Sequence, residues 1–178
     1  MKKSLTCLLA VVLTILCTST VKADINYDLL YNWSYQPNNV QWDLVLKNTN
    51  IQVVDKLDWE SPDLYETYGY TTMKVIPGTM MVSGIDVRIK KGYEFALTHE
   101  VGHCLSNYKN NLYWWCKQPI FEQIWIAERN NCILTFQGRD NILEYFACSY
   151  DAYIRYPQIF KNQCPMTYNY IQVVLNYT

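Results

Sequence analysis

Both histidines of this 178-residue chain lie in one short segment, His99-Glu100-Val101-Gly102-His103, which has the pattern H-E-x-x-H. Side chains four residues apart share one face of an α-helix, so His99 and His103 can direct their imidazoles to one point. Imidazole nitrogens about 2.0–2.1 Å from a common centre suit Zn²⁺. Glu100 can take a proton from water held by that metal. The segment therefore predicts a hydrolytic metal centre.

The third metal ligand has to come from elsewhere in the chain. A catalytic zinc site needs three protein ligands and one open position, and the sequence offers no third histidine. We expect a carboxylate, and favour Glu144 over Asp151, Glu122 or Glu128. Glu144 and Asp151 share one face of a helix predicted over Ile142–Arg155. Asp151 is the expected acceptor that orients a ligand imidazole, with a plain exposed helix residue or a salt-bridge partner as the alternative.

Two amphipathic helices would position these ligands. The H-E-x-x-H helix has its histidines on one side and an apolar stripe on the other, formed by Leu97, Val101, Cys104, Leu105 and Tyr108. The alternative is a surface helix with two polar histidines. The second helix begins after a predicted cap at Asn141. Its predicted core side consists of Leu143, Phe146, Tyr150 and Tyr153.

The remaining pattern indicates an α+β fold with a small mixed sheet packed against helices. Helices are expected after Pro37 and Pro119. Strands are predicted at 51–54, 72–76, 80–82 and 85–89, with turns at Pro77-Gly78 and Ser83-Gly84. The strand at 85–89 alternates apolar and polar residues, so it is either an ordinary sheet strand or one that pairs with an extended peptide beside the metal.

The N-terminus has the pattern of a secretory signal peptide. Lysines at positions 2 and 3 precede an apolar run from Leu5 to Cys17, and Val21-Lys22-Ala23 is a small-residue cleavage site. We predict cleavage after Ala23, a secreted protein, and one domain over residues 24–178. The apolar run is short for a membrane span, which disfavours stable membrane insertion. An uncleaved anchor and a lipid attached at Cys17 are the alternatives.

Charge and cysteine content narrow the class of protein further. The net charge is −1 and no basic block occurs, which disfavours nucleic-acid binding. We expect a monomer. Removal of the signal peptide would leave Cys104, Cys116, Cys132, Cys148 and Cys164. In an oxidising compartment these are expected to form up to two disulfides with one thiol left over, and their pairing is left open.

Two stretches resemble a known family of zinc metallopeptidases. Residues 134–147, L-T-F-Q-G-R-D-N-I-L-E-Y-F-A, resemble L-T-x-Y-G-R-x-N-x-x-E-F-F-A of the family that includes the anthrax lethal factor catalytic domain and the secreted Pro-Pro endopeptidases. Residues 161–168 are similar to its K-N-A-P-x-T-F, with one extra residue before the proline. With H-E-x-G-H, the resemblance extends in order over residues 38–174, and its specific matches lie in the C-terminal half.

The resemblance implies a single zincin-like domain in which the H-E-x-x-H helix lines the cleft. His99, His103 and Glu144 would bind one Zn²⁺, Glu100 would be the base, and the substrate would be an extended, proline-rich peptide or protein. Gln137 replaces a family tyrosine that stabilises the oxyanion, and loss of such a donor costs about 10²–10³ in rate. Cys148 replaces a family acidic residue. The alternative is therefore a non-catalytic or attenuated secreted binding module of the same fold.

Overall fold

The computed structural model describes residues 26–57, 68–109 and 111–178 and has a mixed α+β architecture. It divides into two compact units, the first comprising residues up to Lys74 together with Ser83–Leu97, and the second comprising Val75–Val82 and Thr98–Thr178. The predicted signal peptide, residues 1–23, lies outside the described residues. Within the described ranges, no helix has the length and apolar character needed to cross a membrane.

The first unit contains a three-stranded sheet. Its elements are α1 (Tyr27–Ser34), α2 (Asn38–Leu46), β1 (Thr49–Val54), β2 (Gly69–Val75) and β3 (Val82–Lys90). The strand order is β1-β3-β2, and β1 runs parallel to β3 in a register from Thr49 opposite Ile85 to Val54 opposite Lys90. The side chain of Asn26 caps α1 by accepting from the backbone N–H of Leu29. Helix α2 begins after Pro37, as predicted.

The sheet corrects two predictions. Strand β3 is continuous where the sequence predicts a turn at Ser83-Gly84, because the Ser83 hydroxyl donates to the Lys74 carbonyl at 3.1 Å and the segment continues into pairing with β1. Strand β3 is also the central strand. Both of its neighbours are strands of the same sheet, so it offers no free edge for a peptide, and the ordinary sheet strand is the correct alternative.

The second unit is helical. Its helices are α3 (Leu97–Leu105), α4 (Pro119–Glu128), α5 (Ile142–Arg155), α6 (Pro157–Gln163) and α7 (Pro165–Leu175). A short 3₁₀ helix, Ile133–Gly138, precedes α5 and packs against it. Helices α4, α6 and α7 each begin with a proline in the first turn, where a missing N–H costs no helical hydrogen bond. Helix α5 has the predicted bounds.

Helix α5 is buried around more of its circumference than the sequence predicts. Phe146 and Tyr150 are fully buried, as expected, whereas Leu143 and Tyr153 are only partly buried. Tyr145 on another side of the helix is fully buried as well. The reason is that α4, α6 and α7 all pack against α5, which makes it the central helix of this unit.

The five cysteines after residue 23 are all buried and free, so the predicted disulfides do not form in this structure. Their thiols have other neighbours. The Cys164 thiol contacts the Glu128 carbonyl oxygen at 3.8 Å, and the Cys148 thiol contacts a ring nitrogen of His99. Cys132 and Cys164 pack in one apolar cluster with Ala152. Burial raises the pKa of the Cys164 thiol to about 12, and nearby Cys132 adds to the rise, so this thiol stays protonated at neutral pH.

Candidate metal centre

Helix α3 presents both histidines from the side opposite its apolar stripe. Leu97, Val101, Cys104 and Leu105 are fully buried, which confirms that stripe, and Tyr108 is partly buried beyond the end of the helix. The His99 and His103 side chains retain 22% and 15% of their exposure. A helix anchored along one face thus holds two imidazoles that other molecules can reach.

Glu144 lies in the first turn of α5, which two local features fix. The Asn141 side-chain oxygen accepts from the backbone N–H groups of Leu143 and Glu144 at 2.9 and 3.4 Å, which confirms the predicted cap. Gly138 lies directly against this turn. A Cβ at Gly138 would come within 2.1 Å of the Tyr145 Cα, so only glycine permits this approach.

A second glycine allows α3 and α5 to approach each other closely. A Cβ on Gly102 would lie 2.7 Å from the Ala147 Cα and 3.0 Å from the Ala147 carbonyl oxygen. Gly102 directly precedes His103, and Ala147 is three residues after Glu144. The near-contact of the two backbones therefore brings the ligand-bearing parts of both helices together.

His99, His103 and Glu144, here called the triad, converge on one point. The two Nε2 atoms are 3.2 Å apart. His99 Nε2 is 3.3 Å from one carboxylate oxygen of Glu144, and His103 Nε2 is 3.4 Å from the other. Two ligands about 2.0–2.1 Å from a tetrahedral zinc ion are about 3.3–3.4 Å apart. The distance between the two imidazole nitrogens fits one edge of a zinc coordination tetrahedron, and each nitrogen has its own Glu144 oxygen at a similar distance. Among the described residues the triad forms a possible metal site.

The electrostatics of the triad suit a cation. Burial alone would raise the pKa of Glu144, but hydrogen bonds from His103 and His99 outweigh it and hold that pKa well below its usual 4.5. Burial alone would lower the pKa of His99, but its contacts with Cys148 and Glu144 outweigh burial and raise the pKa above 6.5. Glu144 is therefore anionic at neutral pH, and a metal that binds His99 there displaces a proton.

Glu100, the predicted base, lies on α3 between the two histidines in sequence and is 4% exposed. Burial lowers the pKa of His99, whereas Cys148 and Glu144 raise it. The charge of Glu100 adds a smaller contribution to this rise. A carboxylate so placed, shielded from bulk water and next to the triad, is in a suitable environment for proton transfer.

Asp151 does not have the predicted role of orienting a ligand imidazole. Its carboxylate accepts from Arg155 Nε at 2.7 Å, and Arg155 also donates to the Thr98 hydroxyl at 3.2 Å. The salt-bridge alternative is therefore correct. The group that contacts a ligand imidazole is Cys148, whose sulfur lies 3.7 Å from His99 Nδ1. The signal for it in the sequence was its position one turn after Glu144 on the same face of the helix.

The other candidate carboxylates lie apart from the triad. Glu122 is exposed on α4. Glu128 is buried, and its carboxylate accepts from the backbone N–H of Met166 at 3.0 Å and from the N–H and hydroxyl of Thr167 at 2.8 and 2.7 Å. Glu128 thus closes the N-terminal end of α7, and its oxygens are occupied there.

A tyrosine that the sequence analysis did not single out lies within electrostatic range of Glu144. Gln137, at the position of the family's tyrosine, is exposed. Tyr113 is partly buried, and burial raises its pKa, with smaller contributions from Cys116 and from the charge of Glu144. Its backbone has φ 54°, and its N–H donates to the Asn107 side chain at 2.9 Å. This contact fixes the uncommon left-handed conformation of Tyr113.

The chain matches no protein-family model and no curated protein. The features of this chain that indicate a function are the H-E-x-x-H segment and the geometry of the triad.

Proposed function

We propose that the protein is a secreted zinc endopeptidase with a zincin-like fold, in which the triad binds one Zn²⁺ and Glu100 is the general base. The observation that carries this proposal is the convergence of three groups: the Nε2 atoms of His99 and His103 lie 3.2 Å apart, and each has an oxygen of the Glu144 carboxylate at 3.3 or 3.4 Å. Two imidazoles and one carboxylate are also the donor set of many catalytic zinc sites, which leave one position open for water or substrate.

The same donor types also occur around non-haem iron, so the choice of metal needs a second argument. Glu100 supplies it. A carboxylate next to the first ligand of an H-E-x-x-H helix has a role in hydrolysis, where it accepts the proton of the attacking water as a general base. Oxygen chemistry at iron has no need of a base at this position. We therefore favour zinc, and elemental analysis of the purified protein distinguishes the two metals.

In the proposed reaction each residue has one task. Zinc, when bound, lowers the pKa of water to about 7 and polarises the scissile carbonyl. His99 and His103 would hold the metal through Nε2, and Glu144 would add a negatively charged ligand. Glu100 accepts a proton from the attacking water as the C–O bond forms, and donates it to the amine nitrogen as the C–N bond breaks. The products are a carboxylic acid and an amine.

The substrate we propose is an extended, proline-rich peptide or protein, by analogy with the family that the motifs resemble. For the oxyanion we propose the phenol of Tyr113, a partly buried hydroxyl donor within electrostatic range of Glu144. If this is its role, Tyr113→Phe lowers kcat by about 10²–10³ with little change in zinc content. Unchanged kcat in that variant would assign the role to another donor.

The test combines metal content with cleavage. Purified protein is analysed for zinc and incubated with a mixed peptide library with and without a chelator. We expect one zinc per chain, cleavage that the chelator abolishes, and cut sites that report any proline preference. Glu100→Ala should abolish cleavage and retain zinc, whereas Glu122→Ala, a change to an exposed carboxylate on α4, should affect neither.

Two results would contradict the proposal in different ways. Zinc without cleavage of any peptide, in both the natural protein and Glu100→Ala, would favour the non-catalytic binding module, for which the exposed Gln137 in place of a tyrosine is the motivating observation. Absence of bound metal would refute the assignment of His99, His103 and Glu144 as ligands.

A further inference from the structure

We propose that the thiol of Cys148 positions His99 for metal binding, as the hydrogen-bond partner of the ring nitrogen that faces away from the metal. This inference rests on the proposed metal site and adds a residue to it. In the described part of the chain, the group of possible ligands contains His99, His103 and Glu144 and does not include Cys148. Cys148 is therefore a positioning residue rather than a ligand.

The two ring nitrogens of His99 have different neighbours. Nε2 lies 3.2 Å from His103 Nε2 and 3.3 Å from Glu144 Oε2, so it points into the triad. Nδ1 lies 3.7 Å from the Cys148 sulfur. A histidine that binds metal through Nε2 carries its proton on Nδ1, and the partner of that N–H fixes the tautomer and the ring orientation. Here that partner is a thiol sulfur.

The position of the sulfur is set by the backbone of α5. Cys148 is 5% exposed and follows Ala147, whose backbone touches Gly102 of α3. Glu144 lies one helical turn earlier, on the same face. A single helix thus supplies both a ligand and the group that orients another ligand, and the Gly102–Ala147 contact keeps both at a fixed distance from α3.

A thiol differs in strength from the usual partner of a ligand histidine. Carboxylates and backbone carbonyls accept strongly from the imidazole N–H, whereas the sulfur of a cysteine is a weak acceptor. The site should therefore bind zinc less tightly than the same site with a carboxylate at position 148. An increase in affinity on Cys148→Asp would be a direct sign of this role, because damage to packing alone would not strengthen metal binding.

The experiment measures zinc affinity by competition with a chromophoric chelator, using the purified protein and zinc alone. We expect Cys148→Ala to weaken binding by about tenfold, the lower end of the usual effect of losing an orienting partner, because the thiol is a weak acceptor. Cys148→Ser keeps a hydrogen-bonding group of similar size and should largely retain affinity, and Cys148→Asp should bind more tightly. Cys132→Ala is the matched control, since Cys132 is 4% exposed and packs with Ala152 and Cys164.

Substitution with Co²⁺ separates positioning from direct ligation. We expect the cobalt spectrum of the natural protein to lack the intense near-ultraviolet band of a thiolate ligand. A thiolate band that disappears in Cys148→Ala would overturn the proposal by making Cys148 a ligand. Equal zinc affinity of Cys148→Ala and the natural protein would also overturn it. If affinity is equal in this way, while the natural protein binds zinc and His99→Ala does not, only the role of Cys148 is refuted and the proposed metal site stands. If the natural protein binds no zinc, the proposed function fails together with this inference.

Discussion

Two glutamates of the helical unit, Glu144 and Glu128, show how similar side chains acquire different roles. Glu144 keeps 39% of its side-chain exposure and faces two imidazoles, with both carboxylate oxygens directed at Nε2 atoms. Glu128 is 2% exposed and faces the start of α7, with both oxygens occupied by N–H and hydroxyl donors. One carboxylate is available to a cation, and the oxygens of the other already accept hydrogen bonds from a helix end.

The difference lies in the partners rather than in the glutamates themselves. The N–H groups at a helix start have fixed positions and need an acceptor, so Glu128 supplies a structural bond between α4 and α7. Imidazoles can bind a proton or a metal, so Glu144 faces groups whose own partner can exchange. Burial alone therefore does not identify a functional carboxylate; the chemistry of the groups that it faces does.

The largest expected effect comes from removing the charge of Glu144, the carboxylate that faces the imidazoles. Glu144→Gln should weaken zinc binding by more than the roughly 100-fold that loss of an orienting partner costs, because it removes a ligand charge. Since the site is partly exposed, the metal-free protein should lose less than about 1 kcal/mol of unfolding free energy. Chelator competition and urea unfolding in the absence of metal measure the two quantities. Unchanged zinc affinity would remove Glu144 from the site.

The second effect, at Glu128, should have the opposite profile. Glu128→Gln places an amide N–H₂ among three donors and should lower the unfolding free energy by about 2 kcal/mol. For a chain of this size that corresponds to a fall in Tm of about 4–8 °C. Zinc affinity of the folded protein should be unchanged. A variant with normal Tm and weakened zinc binding would reverse the roles assigned to the two glutamates.

A third change tests what brings Glu144 to the histidines. Gly102→Ala places a Cβ 2.7 Å from the Ala147 Cα, so α3 and α5 must separate. We expect a loss of about 1–3 kcal/mol of unfolding free energy from overpacking. Zinc affinity should also fall about tenfold, as when the support of a ligand is disturbed. Gly84→Ala is the control, because a Cβ there meets its nearest atoms at an ordinary 3.7 Å. Equal zinc affinity of the two variants would show that the close approach is not needed.

Periodicity and spacing were sufficient to predict the main parts of the site. The H-E-x-x-H pattern placed His99 and His103 on one helical face, and the cap at Asn141 fixed where α5 begins. The sequence alone favours Glu144 over Glu128, although it does not show that the first N–H groups of α7 donate to the Glu128 carboxylate. The signal peptide, secretion, the single domain and the peptidase activity stay predictions, since nothing in the described residues tests them.

The errors concern contacts between residues that are distant in sequence. Disulfides were predicted from cysteine number, yet Cys148 faces His99 and Cys164 faces the Glu128 carbonyl. Asp151 was assigned to an imidazole because it shares a face with Glu144, but Arg155 lies one turn away and binds it at 2.7 Å. Spacing along one helix predicts the direction in which a side chain points. It does not predict which group the side chain contacts, because that depends on the neighbouring elements.

The smallest expected effect concerns a third carboxylate, Asp86 of the sheet unit, which has an exposed partner. Lys74 Nζ lies 2.8 Å from Asp86, and the two side chains are 65% and 23% exposed. The hydrogen bond from Lys74 outweighs burial and, with Asn50, holds the pKa of Asp86 below its usual 3.8. A carboxyl group whose pKa is lower in the folded than in the unfolded protein stabilises the fold at pH values above its unfolded pKa. This contribution disappears as the pH falls through its folded pKa.

Solvent screening limits that contribution to about 0.5 kcal/mol. Asp86→Asn should therefore reduce the unfolding free energy by this amount at pH 7, and the difference from the natural protein should vanish at about pH 3. Urea unfolding at both pH values measures it. Asp55→Asn is the control, because Asp55 and Lys91 are 3.7 Å apart and largely exposed, so no measurable change is expected. A loss of unfolding free energy at Asp86 as large as that at Glu128 would contradict the contrast between the two kinds of partner. It would mean that a carboxylate with an exposed partner stabilises the fold as strongly as one that closes a buried helix end.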